Sequence, residues 1–286
     1  MIDHFSHGLL TPTLSFLLSC FGCAAGLSCT ARARVSTGGR RNLWLCLGAL
    51  AIGGTGIWVM HFVAMLGFTI QGAEIRYNIP LTLLSAALAV VVVGIGLFLI
   101  DRSGSRTPTV LTGGTIAGLG VAGMHYLGMR AMHVGVSIHY DWLLVLASLL
   151  IAVVAASAGL WLALNVRSGV ASIFATVIMG IAVSGMHYTG MAAMSVPGTH
   201  GNHVATPSTG LSATELLLPL IGAISLGTLV LLVVVTLSPT AREMRSEQAF
   251  EDWKARLDAS SRPRPEGQQD HDSRASSSWQ GLSRRP

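Results

Sequence analysis

Long apolar stretches alternate with short polar segments through the first 237 residues. Seven stretches, at about residues 9–30, 43–69, 80–100, 110–132, 142–164, 170–194 and 214–237, reach the roughly 20 helical residues that a hydrocarbon core requires. The pattern therefore predicts an all-α membrane protein of seven transmembrane helices, with residues 1–237 as the membrane domain. From residue 238 the character reverses, and Arg, Glu, Asp, Ser and Pro dominate. In this tail, 238–286, Met244, Ala249, Phe250, Trp253 and Leu257 are spaced as on a short amphipathic helix that lies at the inner membrane surface. Beyond Ser260 the composition predicts disorder.

Composition agrees with the pattern. Only 11% of residues are charged and 51% are hydrophobic, which excludes an ordinary soluble globule. The net charge of +5 does not point to nucleic acid, because the basic residues are dispersed over short loops and form no groove or stripe. Their distribution reads as topology. Arg32, Arg34, Arg40 and Arg41 follow the first stretch, Arg102 and Arg106 the third, Arg167 the fifth, and Arg242 and Arg245 the seventh. The positive-inside rule then predicts an outer N-terminus and a cytoplasmic C-terminus in the cell membrane. The start MIDHFSHG lacks the basic region of a cleaved signal peptide. A single lysine, Lys254, beside abundant Ala, Gly and Arg suits a GC-rich bacterial source.

The chain repeats internally. His61, His125 and His187 are 64 and 62 residues apart, and each interval holds one return helix and one further histidine-bearing helix. The unit is two helices in constant orientation, which predicts three repeats about a pseudo-threefold axis along the membrane normal, with the seventh helix outside. Seven residues before the histidines stand Gly54, Gly118 and Gly180, and three after them Ala64, Gly128 and Gly190. Such small residues let helix backbones approach one another.

The histidines have sulfur companions. At about 100° per residue, positions four and seven after each histidine fall within about 40° of it, so one face carries His61 and Met65, the next His125, Met129 and Met132, and the third His187, Met191 and Met194. Met60, Met124 and Met186, just before each histidine, point to a neighbouring face as auxiliary candidates. Eight of the ten non-initiator methionines lie in these motifs, a clustering that gap-filling by a flexible side chain does not explain. An imidazole inside a bilayer needs a hydrogen-bond partner, a watery cavity or a metal. Thioethers add no proton chemistry, but with imidazole they suit copper, above all Cu(I); haem iron, which accepts His/His or His/Met axial pairs, is the rival cofactor. Cys20, Cys23, Cys29 and Cys46 lie in the first two stretches without a second C-x-x-C pair. They read as packing thiols, with a soft-metal contact as the alternative.

The tandem segments Met60–Met65, Met124–Met129 and Met186–Met191 follow M-H-[YF]-x-[AG]-M, and only Met186-His187-Tyr188-Thr189 spells the motif in full. In this the chain resembles the MHYT-domain family of bacterial integral membrane sensors over about residues 8–237. The resemblance implies a non-enzymatic sensory domain that binds copper through its histidines and methionines and perceives oxygen, carbon monoxide, nitric oxide or a redox or copper signal. Relatives often carry signalling output domains behind the last helix. Here the 49-residue tail is too short for one, so the expected arrangement is a stand-alone member that signals to a separate cytoplasmic protein. A Cu(I) channel or transporter is the first alternative function, and a haem-binding redox protein the second.

Overall fold

The computed structural model describes residues 2–3, 6, 8–70, 75–103, 107–134, 138–166, 169–195, 211–237 and 249–257. Among the described residues, seven helices are long and apolar enough to cross a membrane. The chain runs β1 (Ile2–Asp3), α1 (Leu10–Ala33), a 28-residue span Gly38–Met65, β2 (Thr69–Ile70), β3 (Arg76–Tyr77), α4 (Ile79–Ser103), α5 (Thr107–Ala131), β4 (Met132–His133), β5 (His139–Tyr140), α6 (Trp142–Asn165), α7 (Gly169–Ala192), β6 (Met194–Ser195), β7 (Leu211–Ser212) and α8 (Ala213–Leu237). The second span is composite: α2 (Gly38–Ala49), a π-helical segment Leu50–Val59, and α3 (Met60–Met65).

Local chemistry sets several helix starts. Asp141 Oδ1 accepts from the Leu143 and Leu144 N–H groups ahead of α6, and Asn78 Oδ1 accepts from Leu81 N–H ahead of α4. Before α8, Ser212 and Glu215 form a reciprocal capping box, the Glu215 carboxylate accepting from Ser212 N–H and the Ser212 hydroxyl accepting from Glu215 N–H. Asp141 is therefore engaged as a cap.

Six spans close into a ring. Following the contacts around it, α1 packs on the composite span, that span on α4, α4 on α5, α5 on α6, α6 on α7, and α7 back on α1. Helix α8 lies outside, against α1 and the π-helical segment. Three antiparallel strand pairs join the ends of successive helix pairs: β1 with β2, β3 with β4, and β5 with β6, while β7 adds to β3. Each two-helix unit is thus fastened to itself at one end of the molecule, as the repeat in the sequence predicts. Leucine, valine and isoleucine side chains cover the outer faces, where lipid replaces water.

The π-helical segment alters the repeat. Gly118 approaches α6 so closely that an added Cβ would lie 2.5 Å from Val153 Cα, and the matching approach to α4 is made by Gly53, whose Cβ would lie 2.7 Å from the Ala89 carbonyl oxygen. The expected equivalent, Gly54, faces the Ile224 side chain of α8 instead. Gly53 precedes its histidine by eight residues, whereas Gly118 precedes its own by seven. A π-helix spreads more residues over each turn than an α-helix, so it absorbs the extra residue and restores the register by Met60. Ser19 Oγ donates to the Gly56 carbonyl, and the Thr55 and Thr228 hydroxyls share a hydrogen bond of 2.6 Å, which holds the widened turn from both sides.

At the end opposite the strands, arginines satisfy helix C-termini. Arg34 donates to the carbonyls of Ala163, Leu164 and Val166 at the close of α6, and Arg32 to that of Val235 in α8. Arg41 pairs with Asp101 at 2.6 Å. The tail, residues 239–286, is a separate unit whose described part is a helix over 249–257 with Phe250 and Trp253 exposed. Their rings lie 5.7 Å apart; Met244 lies outside the described residues.

Candidate metal centre

His61 on α3, His125 on α5 and His187 on α7 come from three different repeats, and the ring brings them together just inside the strand pairs. Each is 1% exposed. Nδ1 of His61 lies 3.0 Å from Nδ1 of His187 and 3.1 Å from Nδ1 of His125. The three imidazoles meet edge to face, with centroids 4.8, 5.0 and 5.1 Å apart. Among the described residues this triad is the one group of three or more histidine, cysteine or acidic side chains placed to hold a metal ion.

The contacts are hard to satisfy with protons alone. His61 Nδ1 faces two other Nδ1 atoms at once, and a neutral imidazole carries one N–H and one lone pair. One proton can serve one of these contacts well, and the other then sets lone pair toward lone pair or shares the same hydrogen. A single ion on the axis would accept all three lone pairs. Nitrogens bound at about 2.0 Å to one ion stand roughly 3.3–3.5 Å apart; the two contacts of His61 are a little shorter than this, and all three candidate ligand atoms lie within 4.8 Å of one another.

The far ring nitrogens show how the site is framed. Nε2 of His61 and of His125 are buried without a hydrogen-bond partner. The first lies against Gly128 and the second against Gly190, where a Cβ would collide with it. Each imidazole therefore rests on the small residue three positions after the next histidine. From sequence these residues read as sites of helix approach; two of them also seat the imidazoles, and the signal was their fixed distance from histidine.

Met65, Met129 and Met191 lie one turn beyond the histidines and are buried, as are Met60, Met124 and Met186. Met132 and Met194 depart from expectation. Helices α5 and α7 end at Ala131 and Ala192, and the two methionines belong to strands, Met132 paired with Tyr77 and Met194 with Tyr140. Strand pairing stops the helical turn that would have placed them seven residues along the histidine face. Both are buried in the cap closing the end of the ring. Burial also pushes the Tyr77 phenol well above its ordinary value, so that side chain adds no charge to the cap.

Aromatic rings back the triad. Phe62, Tyr126 and Tyr188 each stand edge-on to the preceding histidine, at 4.7, 5.0 and 4.9 Å. The Tyr126 hydroxyl is 2.7 Å from Ser148 Oγ on α6, a contact that ties α5 to α6. The four cysteines are free thiols outside the triad. His133 and His139 sit in the strand pairs, and His4, His7, His200, His203 and His271 fall outside the described residues.

Comparison with known proteins agrees with the threefold construction. The model of the MHYT family, described as a bacterial signalling protein N-terminal repeat, matches residues 54–113, 118–176 and 180–246. The chain is 37% identical over 197 residues to the bifunctional diguanylate cyclase/cyclic di-GMP phosphodiesterase MucR of Pseudomonas aeruginosa, covering 67% of this chain and 28% of that protein. It is 32% identical over 216 residues to the signalling protein YkoW of Bacillus subtilis, covering 69% and 26%. It is 35% identical over 192 residues to the cyclic di-GMP phosphodiesterase NbdA of Pseudomonas aeruginosa, covering 64% and 24%. The chain thus spans about a quarter of the length of these curated relatives. No solved structure matches it. With three repeats in register, each supplying one histidine to a common point, the chain belongs to the MHYT family of bacterial signalling proteins.

Proposed function

We propose that this chain is a copper-binding sensor domain of the bacterial cell membrane, with His61, His125 and His187 holding the ion through Nδ1. The observation that carries the proposal is the convergence of three buried Nδ1 atoms, whose contacts at His61 neutral imidazoles can satisfy only by sharing one lone pair or one hydrogen. Met65, Met129 and Met191 supply thioethers one turn away, Met60, Met124 and Met186 flank the triad, and Met132 and Met194 lie in the cap. That sulfur-rich shell favours copper over zinc, calcium or magnesium. Copper there would supply an open coordination position for a diatomic molecule, or a change of oxidation state.

The chain's own part is positional. Because each histidine comes from a different repeat, a change in what the triad holds alters the spacing of three motif helices together. The basic inner ends and the tail face the cytoplasm in the topology we propose, and would carry that change to a separate signalling protein, in keeping with the cyclic di-GMP enzymes among the relatives.

Two features argue against the alternatives. A porphyrin must lie between its axial ligands, and these imidazoles already touch edge to face. Inward of the triad Ile57, Val121 and Val183 offer no ligand atom, and the thioethers that border the same space are those of Met179 and Met186, too few for the continuous series of soft ligands that Cu(I) conduction needs.

The test is metal analysis with absorption spectroscopy on purified protein. Copper near one equivalent per chain, lost in the H61A/H125A/H187A triple variant while the variant stays folded, is the expected result. Protein that folds and binds no copper would overturn the reading.

A further inference from the structure

Three buried serines hold equivalent places in the three repeats. Ser15 on α1, Ser85 on α4 and Ser148 on α6 stand five or six residues after the start of their helices and are each 0% exposed. Each hydroxyl donates to the carbonyl three residues earlier, those of Pro12, Thr82 and Val145, at 2.9, 2.7 and 2.8 Å. Its one proton is then spent, so what it offers a neighbour is a lone pair. An aromatic donor from the adjoining histidine-bearing helix takes that position. Trp58 Nε1 donates to Ser85 Oγ at 3.0 Å, and the Tyr126 hydroxyl donates to Ser148 Oγ at 2.7 Å; the Tyr188 phenol makes a looser contact with Ser15.

These aromatic side chains also bear on the histidines. Tyr126 stands edge-on to His125 at 5.0 Å and Tyr188 to His187 at 4.9 Å. In the first repeat Phe62 holds the place of tyrosine and has no hydroxyl. Trp58, one turn inward with its ring 4.7 Å from that of Phe62, supplies the missing donor, and Phe62 in turn meets His61 at 4.7 Å. The strand pairs fasten the two helices of one repeat, whereas these contacts run between repeats: from the composite span to α4, from α5 to α6 and from α7 to α1. A displacement of the serine's helix therefore reaches the imidazole through one ring, or through two in the first repeat.

We propose that Ser85, Ser148 and Ser15 are positioning residues of the triad, which orient His61, His125 and His187 through Trp58 with Phe62, through Tyr126 and through Tyr188. Supporting contacts of this kind set how tightly and in what geometry a histidine holds a metal. The orientation of the imidazoles needs only the contacts above; its effect on a bound ion rests on the copper reading.

The experiment uses the full chain, isotope-labelled at the histidine ring nitrogens. Nuclear magnetic resonance reads the imidazole signals of the copper-free protein, and copper affinity and the electron paramagnetic resonance spectrum of the Cu(II) form are then measured. Y126F is the mild variant, because it keeps the ring, removes the donor and leaves Ser148 bonded to the Val145 carbonyl. S148A strands the buried phenol and should act in the same direction more strongly. Both are expected to move the His125 signals, to alter the Cu(II) spectrum and to weaken copper binding about 10-fold. S28A, which removes a hydroxyl bonded to the Ala24 carbonyl toward the other end of α1, should move none of these. Imidazole signals unchanged in Y126F, with only thermal stability lowered, would overturn the proposal and leave the serines to packing. Signals that move in a protein that never takes up copper would overturn the metal reading and leave the positioning role standing.

Discussion

Nε2 of His125 lies so close to Gly190 that a methyl group on that glycine would occupy the space of the ring. The same relation joins His61 to Gly128, where the added Cβ would be 2.5 Å from Nε2. A histidine that contributes one nitrogen to the axis is therefore aimed by a glycine of the neighbouring repeat, as supporting groups commonly aim metal ligands.

G190A should tilt His125 off the axis. The expected outcome is copper affinity about 10- to 100-fold weaker with little loss of helix content, measured by competition with a chromophoric Cu(I) chelator. An affinity equal to wild type would mean that the glycine serves packing alone.

The two groups of methionines should separate. M129L and M191L preserve volume, so stability should fall by less than about 1.5 kcal/mol, while Cu(I) affinity drops and Cu(II) affinity changes less. M132L, in the strand beside Tyr77, should leave Cu(I) affinity within about twofold. The opposite ranking would make Met132 a closer ligand than Met129 and Met191.

The π-helical register makes a contrast between adjacent glycines. G53A places a methyl against the backbone of α4 and should destabilise the fold by about 1–3 kcal/mol. G54A meets the end of the Ile224 side chain at 3.3 Å, which can move, and should cost much less. Thermal unfolding in detergent ranks the two, and equal losses would refute the one-residue shift.

Polar contacts at the end opposite the strands should differ in weight. R34A strips donors from three carbonyls at the end of α6 and should cost about 1–3 kcal/mol. D101N leaves Arg41, itself 40% exposed, without its ion pair, and should cost under about 1 kcal/mol. The same unfolding assay compares them.

Fusions test orientation in the membrane. A fluorescent protein joined after residue 257 should mature in the cytoplasm, and alkaline phosphatase joined in the segment between β4 and β5 should be active outside. The reverse pattern would invert the topology we propose.

Much of this arrangement is legible in the sequence, because histidine inside an apolar helix is costly and three such residues at a steady interval mark a repeat and a shared function. The exact register of the first repeat is hidden by chemistry as plain as two consecutive glycines: aligned on histidine, Gly54 matches Gly118, and nothing local reveals that the backbone widens and assigns the close approach to Gly53. Met132 and Met194 fall to a similar cause, since helical periodicity continues to them while strand pairing with Tyr77 and Tyr140, distant in sequence, ends the helix first.

The closure of the ring between α1 and α7 has a consequence for biosynthesis. The first helix enters the membrane with one flank vacant, and its neighbour on that flank is not made until some 190 residues have been translated. Until then the growing bundle is an open crescent holding two of its three histidines. Completion of the triad, sealing of the seam and docking of α8 over α1 therefore come late in insertion, and the binding of the copper we propose would mark an assembled ring.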